Sequence, residues 1–196
     1  MNKPPVSRYP IPGLEDAPQD VRERIEAVRE KTGFIPNVFL ALARRADEFR
    51  AFFAYHDALM EKPGGLSKAE REMIVVATSG LNHCQYCVVA HGAILRIRAR
   101  NPMIADQVAV NPLKSDLTGR EQAMLAFALK VAERSHAIDE DDFEALKAHG
   151  FSREDAWDIA AIAALFAMSN RLANAFAIRA NDEFYLMGRE PRQQAG

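Results

Sequence analysis

Strand signals are almost missing from this chain. No stretch sustains a period-2 alternation of apolar and polar residues, and no Asn-Gly or Asp-Gly turn joins two β-branched runs. That absence excludes a sandwich, a barrel or a hairpin-rich fold. Long apolar runs are missing too: the most apolar stretch, residues 159–168, is far below the roughly 20 residues needed to span a bilayer. Residues 1–13 lack the apolar segment of a secretory signal. Basic residues do not cluster; the 25 Lys and Arg are scattered among 27 Asp and Glu, for a formal net charge of −2. Neither nucleic acid nor an anionic membrane is therefore expected as a partner. Cysteine is scarce, with two residues, and both fall in Cys84-Gln-Tyr-Cys87. A cytoplasmic location is expected, and in that reducing compartment a lone Cys-x-x-Cys points to redox or metal chemistry rather than a structural staple.

What is present reads as helix throughout. At 196 residues, 48% hydrophobic and 27% charged, the chain is long enough for one domain with a proper core and short for two. Residues 1–17 form a Pro-rich arm, expected to lie extended on the surface or on a neighbouring subunit; 18–188 form the helical domain and 189–196 a tail. Pro18 suits the first turn of a helix to Lys31. Asn37 can cap a short helix to Ala43, and Asp47 opens a longer one that Pro63-Gly64-Gly65 ends. Ser67-x-x-Glu70 is a capping-box pattern for a helix to about Thr78, broken by Ser79-Gly80; Asn82-x-x-Gln85 looks like the next cap, for a helix through Arg98. Asn101-Pro102 and Asn111-Pro112 bracket a short helix. Thr118-x-x-Glu121, Asp139 and Ser152-x-x-Asp155 open three more, the last long, Ala-rich and final. The similar openings at Leu66 and Leu117 hint at an internal duplication.

The chemistry concentrates in one segment. At about 100° per residue, Cys84, Cys87 and His91 fall within roughly 60° of one another on a helix. Two thiols a turn apart can form a disulfide, and helix N-terminal amides or a nearby imidazole can lower a thiol pKa. The amides favour Cys84 and His91 favours Cys87. Glu72, among Met73, Ile74, Val75 and Val76, is either a buried carboxylate of raised pKa, fit for proton transfer, or a residue on the solvent side of its helix. The cysteines alternatively read as zinc ligands with His91 and His83, or as inert core residues. His56 faces either the core or the site. Asn170-Arg171, polar in an apolar helix, either line the site or meet a partner.

Glu72, Cys84-x-x-Cys87 and His91 together resemble the Glu-x11-Cys-x-x-Cys-x3-His pattern of the AhpD-like alkylhydroperoxidases, in the carboxymuconolactone decarboxylase superfamily. The likeness runs from about Asn37 to Arg98 and less sharply over Leu117 to Ile178; the length and the Pro-rich arm resemble the peroxidase-related branch. The resemblance implies an all-α, AhpD-like multi-helix bundle that assembles into homo-oligomers and reduces a small-molecule peroxide with no cofactor or metal, at the expense of an unidentified dithiol or protein reductant. It implies that Cys87 attacks the peroxide assisted by His91, that Cys84 resolves the sulfenic acid to a disulfide, and that Glu72 relays protons. Tyr86 stands where AhpD has a histidine of the relay, and tyrosine is a poor base near neutral pH. The other functions open on these residues are thiol–disulfide exchange led by Cys84, and a non-enzymatic redox-sensing or zinc-bound helical module. Lactone decarboxylation has no use for paired thiols.

Overall fold

In the computed structural model, which describes residues 4–189, the protein is helical throughout, as the missing strand signals predict. Ten α-helices follow in order among the described residues: α1 Gln19–Thr32, α2 Asn37–Ala43, α3 Ala46–Met60, α4 Lys68–Leu81, α5 Gln85–Ala99, α6 Ile104–Val110, α7 Gly119–Arg134, α8 Glu140–Ala148, α9 Arg153–Ala175 and α10 Asp182–Leu186. The cap pairs read from the sequence form as capping boxes, Ser67 with Glu70, Thr118 with Glu121 and Ser152 with Asp155, and Asp139, read only as a helix opener, makes a further one with Asp142. Each satisfies two amide donors that the first helical turn leaves orphaned. No helix is long and apolar enough to cross a membrane among the described residues.

The centre of the fold is α4. It packs against α5, α6, α7 and α9, and every residue from Glu70 to Ser79 is buried. A helix wrapped on all sides has no solvent face, which is why Met73 to Ala77 are apolar without interruption. The main core gathers around it, including Ile74, Leu95, Met124, Leu125, Ile159, Ile162 and Phe166. A second cluster holds Cys84, Tyr86, Cys87, Ala90, Ala93, Ala173, Ile178 and Phe184, and a third joins α1 to α3 through Val21, Ile25, Phe49 and Phe53.

Four local expectations are corrected. Ser79-Gly80 does not break α4, which runs on to Leu81; Gly80 is needed because a Cβ there would sit 2.4 Å from the Ala109 carbonyl oxygen of α6. Asn82 does not cap α5; it closes α4, and Cys84 is the N-cap of α5. Asn37 does not cap α2 either. Its amide accepts no cap bond but donates to the Arg179 carbonyl at 2.7 Å, tying α2 to the chain after α9. Finally, α9 is not the last helix, since α10 follows and is held by buried Arg96, which donates to the Phe184 and Met187 carbonyls (both 2.9 Å). The described part of the arm lies on its own chain: Arg179 N–H donates to the Val6 carbonyl (2.9 Å) and Arg8 N–H to the Phe176 carbonyl (2.8 Å). Of the expected tail, residues 190–196 lie outside the described residues.

Candidate active site

The turn between α4 and α5 places the thiols. His83 adopts a left-handed backbone (φ 51°); its N–H donates to the Gly80 carbonyl (3.0 Å) and that of Cys84 to the Ser79 carbonyl (2.9 Å). This is the Schellman pattern that ends a helix. The residue completing that turn is also the one that begins the next helix: Cys84 Sγ accepts the N–H of Cys87 at 3.5 Å. A thiol at an N-cap takes the place of the usual Ser or Asp oxygen and faces the positive end of the helix. The Cys84 pKa is drawn down to about 7, first by hydrogen bonding from the Cys87 thiol, then by the Cys87 N–H, the Asn170 amide and the charge of His91. Cys87 moves the other way, well above the thiol range, because it donates to Cys84 and is buried beside that sulfur's charge. Of the two thiols, Cys84 is therefore the first to give up its proton.

Glu72 is buried, 2% exposed. His91, one turn beyond Cys87 on α5, donates from Nδ1 to Glu72 Oε2 at 2.7 Å; a carboxylate accepts, which fixes the hydrogen on Nδ1 and leaves Nε2 for chemistry. Arg98, seven residues further along the same face of α5, reaches the other Glu72 oxygen at 3.0 Å and Glu61 at 3.0 Å. The buried carboxylate is thus paired on both oxygens, as a charge in a packed interior must be. The Phe166 ring of α9 meets the His91 ring edge-on at 4.7 Å, and Ser169 Oγ stands 4.0 Å from Cys87 Sγ.

All four expected site residues, Glu72, Cys84, Cys87 and His91, therefore gather around the junction of α4, α5 and α9. Of the pair Asn170-Arg171, only Asn170 joins them. It is fully buried, donating to Ser79 Oγ (2.9 Å) and accepting from Asn82 (3.0 Å). Arg171 is exposed and bonds the Ala167 carbonyl of its own helix. Tyr86 turns away: its hydroxyl accepts the Val38 N–H at 3.2 Å, and burial pushes its pKa up, so it does not replace the relay histidine. His83, considered as a zinc ligand, is exposed. Among the described residues no group of three or more His, Cys, Asp or Glu stands close enough to hold a metal. His56 on α3 lies beside the site, its ring 6.5 Å from that of His91. Arg98, Ser169 and Phe166 were missed in the sequence. The seven-residue spacing from His91 to Arg98 is the one signal that pointed to any of them.

A family model, the carboxymuconolactone decarboxylase family, matches residues 46–109, which span α3 to α6. Among solved structures, one similar protein is the alkylhydroperoxidase AhpD core, an uncharacterized peroxidase-related protein from Ralstonia eutropha JMP134. It is 66% identical, with TM-score 0.95, over 96% of this chain and 99% of that one. An uncharacterized peroxidase-related protein from Silicibacter sp. TM1040 is 38% identical, with TM-score 0.91, over 96% of this chain and 100% of the other. The debrominase Bmp8 shares the fold at 22% identity, TM-score 0.75, over 93% and 95% of the two chains. A comparison with curated proteins found no match.

Proposed function

Because the chain belongs to the AhpD-like, peroxidase-related proteins of the carboxymuconolactone decarboxylase superfamily, we propose that it is a thiol-dependent peroxidase working through a Cys84/Cys87 dithiol–disulfide cycle. The observation that carries this reading is the Glu72–His91 pair set against a dithiol whose first sulfur caps a helix. The Cys84 thiolate attacks the terminal oxygen of a hydroperoxide; an S–O bond forms, the O–O bond breaks, and sulfur gives up two electrons. The departing alkoxide takes a proton from His91 Nε2, whose charge Glu72 balances. Cys87 then displaces hydroxide from the Cys84 sulfenic acid, its thiol proton leaving through His91, and the products are a disulfide and water. A dithiol reductant returns the enzyme to its starting state in a reducing, cytoplasmic setting.

This order reverses the one implied by the family resemblance, which gave the attack to Cys87. The reason is electrostatic: the helix amides, the Cys87 thiol and the charge of His91 all favour charge on Cys84. Thiol–disulfide exchange on protein substrates is the weaker reading, since Cys84 and Cys87 are 0% and 1% exposed, which suits a small peroxide better than a folded partner's disulfide. Bmp8 shares the fold and is a debrominase, so the fold alone does not choose the reaction. A steady-state assay of peroxide consumption with a panel of small dithiols tests the reading. Wild type is expected to turn over, and Cys84→Ser and Cys87→Ser each to abolish sustained turnover. Mixing with one equivalent of peroxide separates the roles: Cys87→Ser should still form a sulfenic acid, Cys84→Ser should not. No consumption by wild type with any dithiol sinks the proposal.

A further inference from the structure

Beside the Glu72–His91 pair stands a second arrangement of the same kind. His56, on α3, donates from Nδ1 to Asp57 Oδ1 at 3.1 Å, and Arg24 of α1 holds the other Asp57 oxygen at 2.8 Å. Arginine–carboxylate–histidine is repeated as Arg24–Asp57–His56 and Arg98–Glu72–His91. The two imidazole rings lie 6.5 Å apart, centre to centre, and the Phe166 ring meets both edge-on, at 6.3 Å and 4.7 Å. In each ring the carboxylate takes Nδ1, so Nε2 is the nitrogen left over; neither Nε2 has a hydrogen-bond partner among the described residues. The His56 side chain is 24% exposed and that of His91 14%, against essentially none for the thiols. Solvent reaches the site at the two histidines.

We propose that His56 is a substrate-orienting residue of this site, its Nε2 accepting the O–H of a hydroperoxide whose other oxygen faces His91. The inference rests on the peroxidase reading above. A hydroperoxide presents two unlike oxygens, and attack is productive at the terminal one. The histidine pair tells them apart: the neutral His56 is an acceptor for the O–H, and His91, carrying the proton released by Cys84, is a donor for the leaving oxygen. As the S–O bond forms and the O–O bond breaks, the proton of His91 passes to the alkoxide. The O–H held by His56 stays on the new sulfenic acid. Atoms and charge balance with no further reactant.

The charges acting on His56 are Asp57 on its own helix, Glu72 on α4 and His91 on α5, with Arg24 of α1 paired to Asp57 and Arg98 of α5 to Glu72; α9 presents the uncharged Phe166. Burial, then the charge of His91, holds the His56 pKa below its ordinary value, so it is neutral in the working range. Protonation at lower pH fills Nε2 and turns the acceptor into a donor.

The test compares His56→Leu, which removes the acceptor, with His56→Gln, which keeps an acceptor oxygen. With tert-butyl hydroperoxide and dithiothreitol, His56→Leu should lose roughly tenfold to a hundredfold in kcat/KM, the scale of a lost orienting contact, and His56→Gln much less. The pH profile of alkylation at Cys84 should keep its shape in both variants. Below neutral pH kcat/KM should fall in every variant as the Cys84 thiolate is lost, and more steeply in wild type, where His56 also takes up a proton, than in His56→Gln. Equal activity of His56→Leu and wild type, or equal losses in both variants with an unchanged acid limb, would overturn the assignment. If wild type consumes no peroxide, the peroxidase reading falls first and takes this role with it.

Discussion

At the scale of the residue, the site is a matter of who keeps a proton. The Cys84 pKa of about 7 is a statement about its neighbours, and it is testable one neighbour at a time. Alkylation by iodoacetamide follows the thiolate, so its rate at Cys84 should rise with pH through a midpoint near 7 rather than the ordinary thiol value of about 8.5. Cys87→Ala removes the strongest donor, and the midpoint should climb toward that ordinary range; Asn170→Ala should move it the same way by less. A midpoint unmoved by Cys87→Ala would mean the helix amides alone set the charge. Glu72 governs a different step. Glu72→Gln keeps the shape but loses the counter-charge to His91, and kcat/KM should drop by roughly 10²–10⁴, the usual contribution of a positioned acid–base group. Peroxide kinetics on a folded variant, checked by circular dichroism, would read this directly; a loss smaller than threefold would leave Glu72 as a merely structural ion.

At the scale of the element, the α4–α5 turn does the positioning, and it was only half legible in the sequence. The capping boxes could be read because their chemistry is local: one hydroxyl or carboxylate, three residues and one acceptor. Glu72 could not be placed, because burial of α4 on every side is set by α5, α6, α7 and α9 together. Gly80 looked like a break for the same reason. Its role is to let α6 approach, and helix periodicity carries no record of a neighbour. Gly80→Ala would drive a methyl into the Ala109 carbonyl oxygen at 2.4 Å, where relief requires moving backbone. The expected cost is about 1–3 kcal/mol, despite alanine's better helix propensity. Chemical denaturation should show it, and a stabilised Gly80→Ala would mean that α6 is loosely docked. Because α4 carries both Glu72 and the Schellman turn, the same variant should also slow alkylation of Cys84.

At the scale of the molecule, α9 has two faces with different work. Phe166 meets the His91 ring, and Ser169 and Asn170 face the thiols. The opposite face exposes Trp157, Ala164 and Met168 at helical spacing, and α3, packed on α9, exposes Ala51, Ala54, Tyr55 and Ala58. Taken together, these apolar side chains suit a contact surface. The high alanine content of α9, legible in the sequence as a sign of close helix approach, is used inside by α4 and left uncovered outside. We take the outer strip as the contact with a second copy of this chain, in keeping with the homo-oligomer that the family resemblance implies. Trp157 is 72% exposed and sits away from the site, so Trp157→Glu should break the contact without touching the chemistry. Light scattering after size exclusion should give wild type a multiple of 21.8 kDa and Trp157→Glu a value near the single chain, with the Cys84 alkylation midpoint unchanged. A wild-type chain that is monomeric at micromolar concentration, or an assembly indifferent to both Trp157→Glu and Met168→Glu, would show that this strip is not the surface through which copies meet.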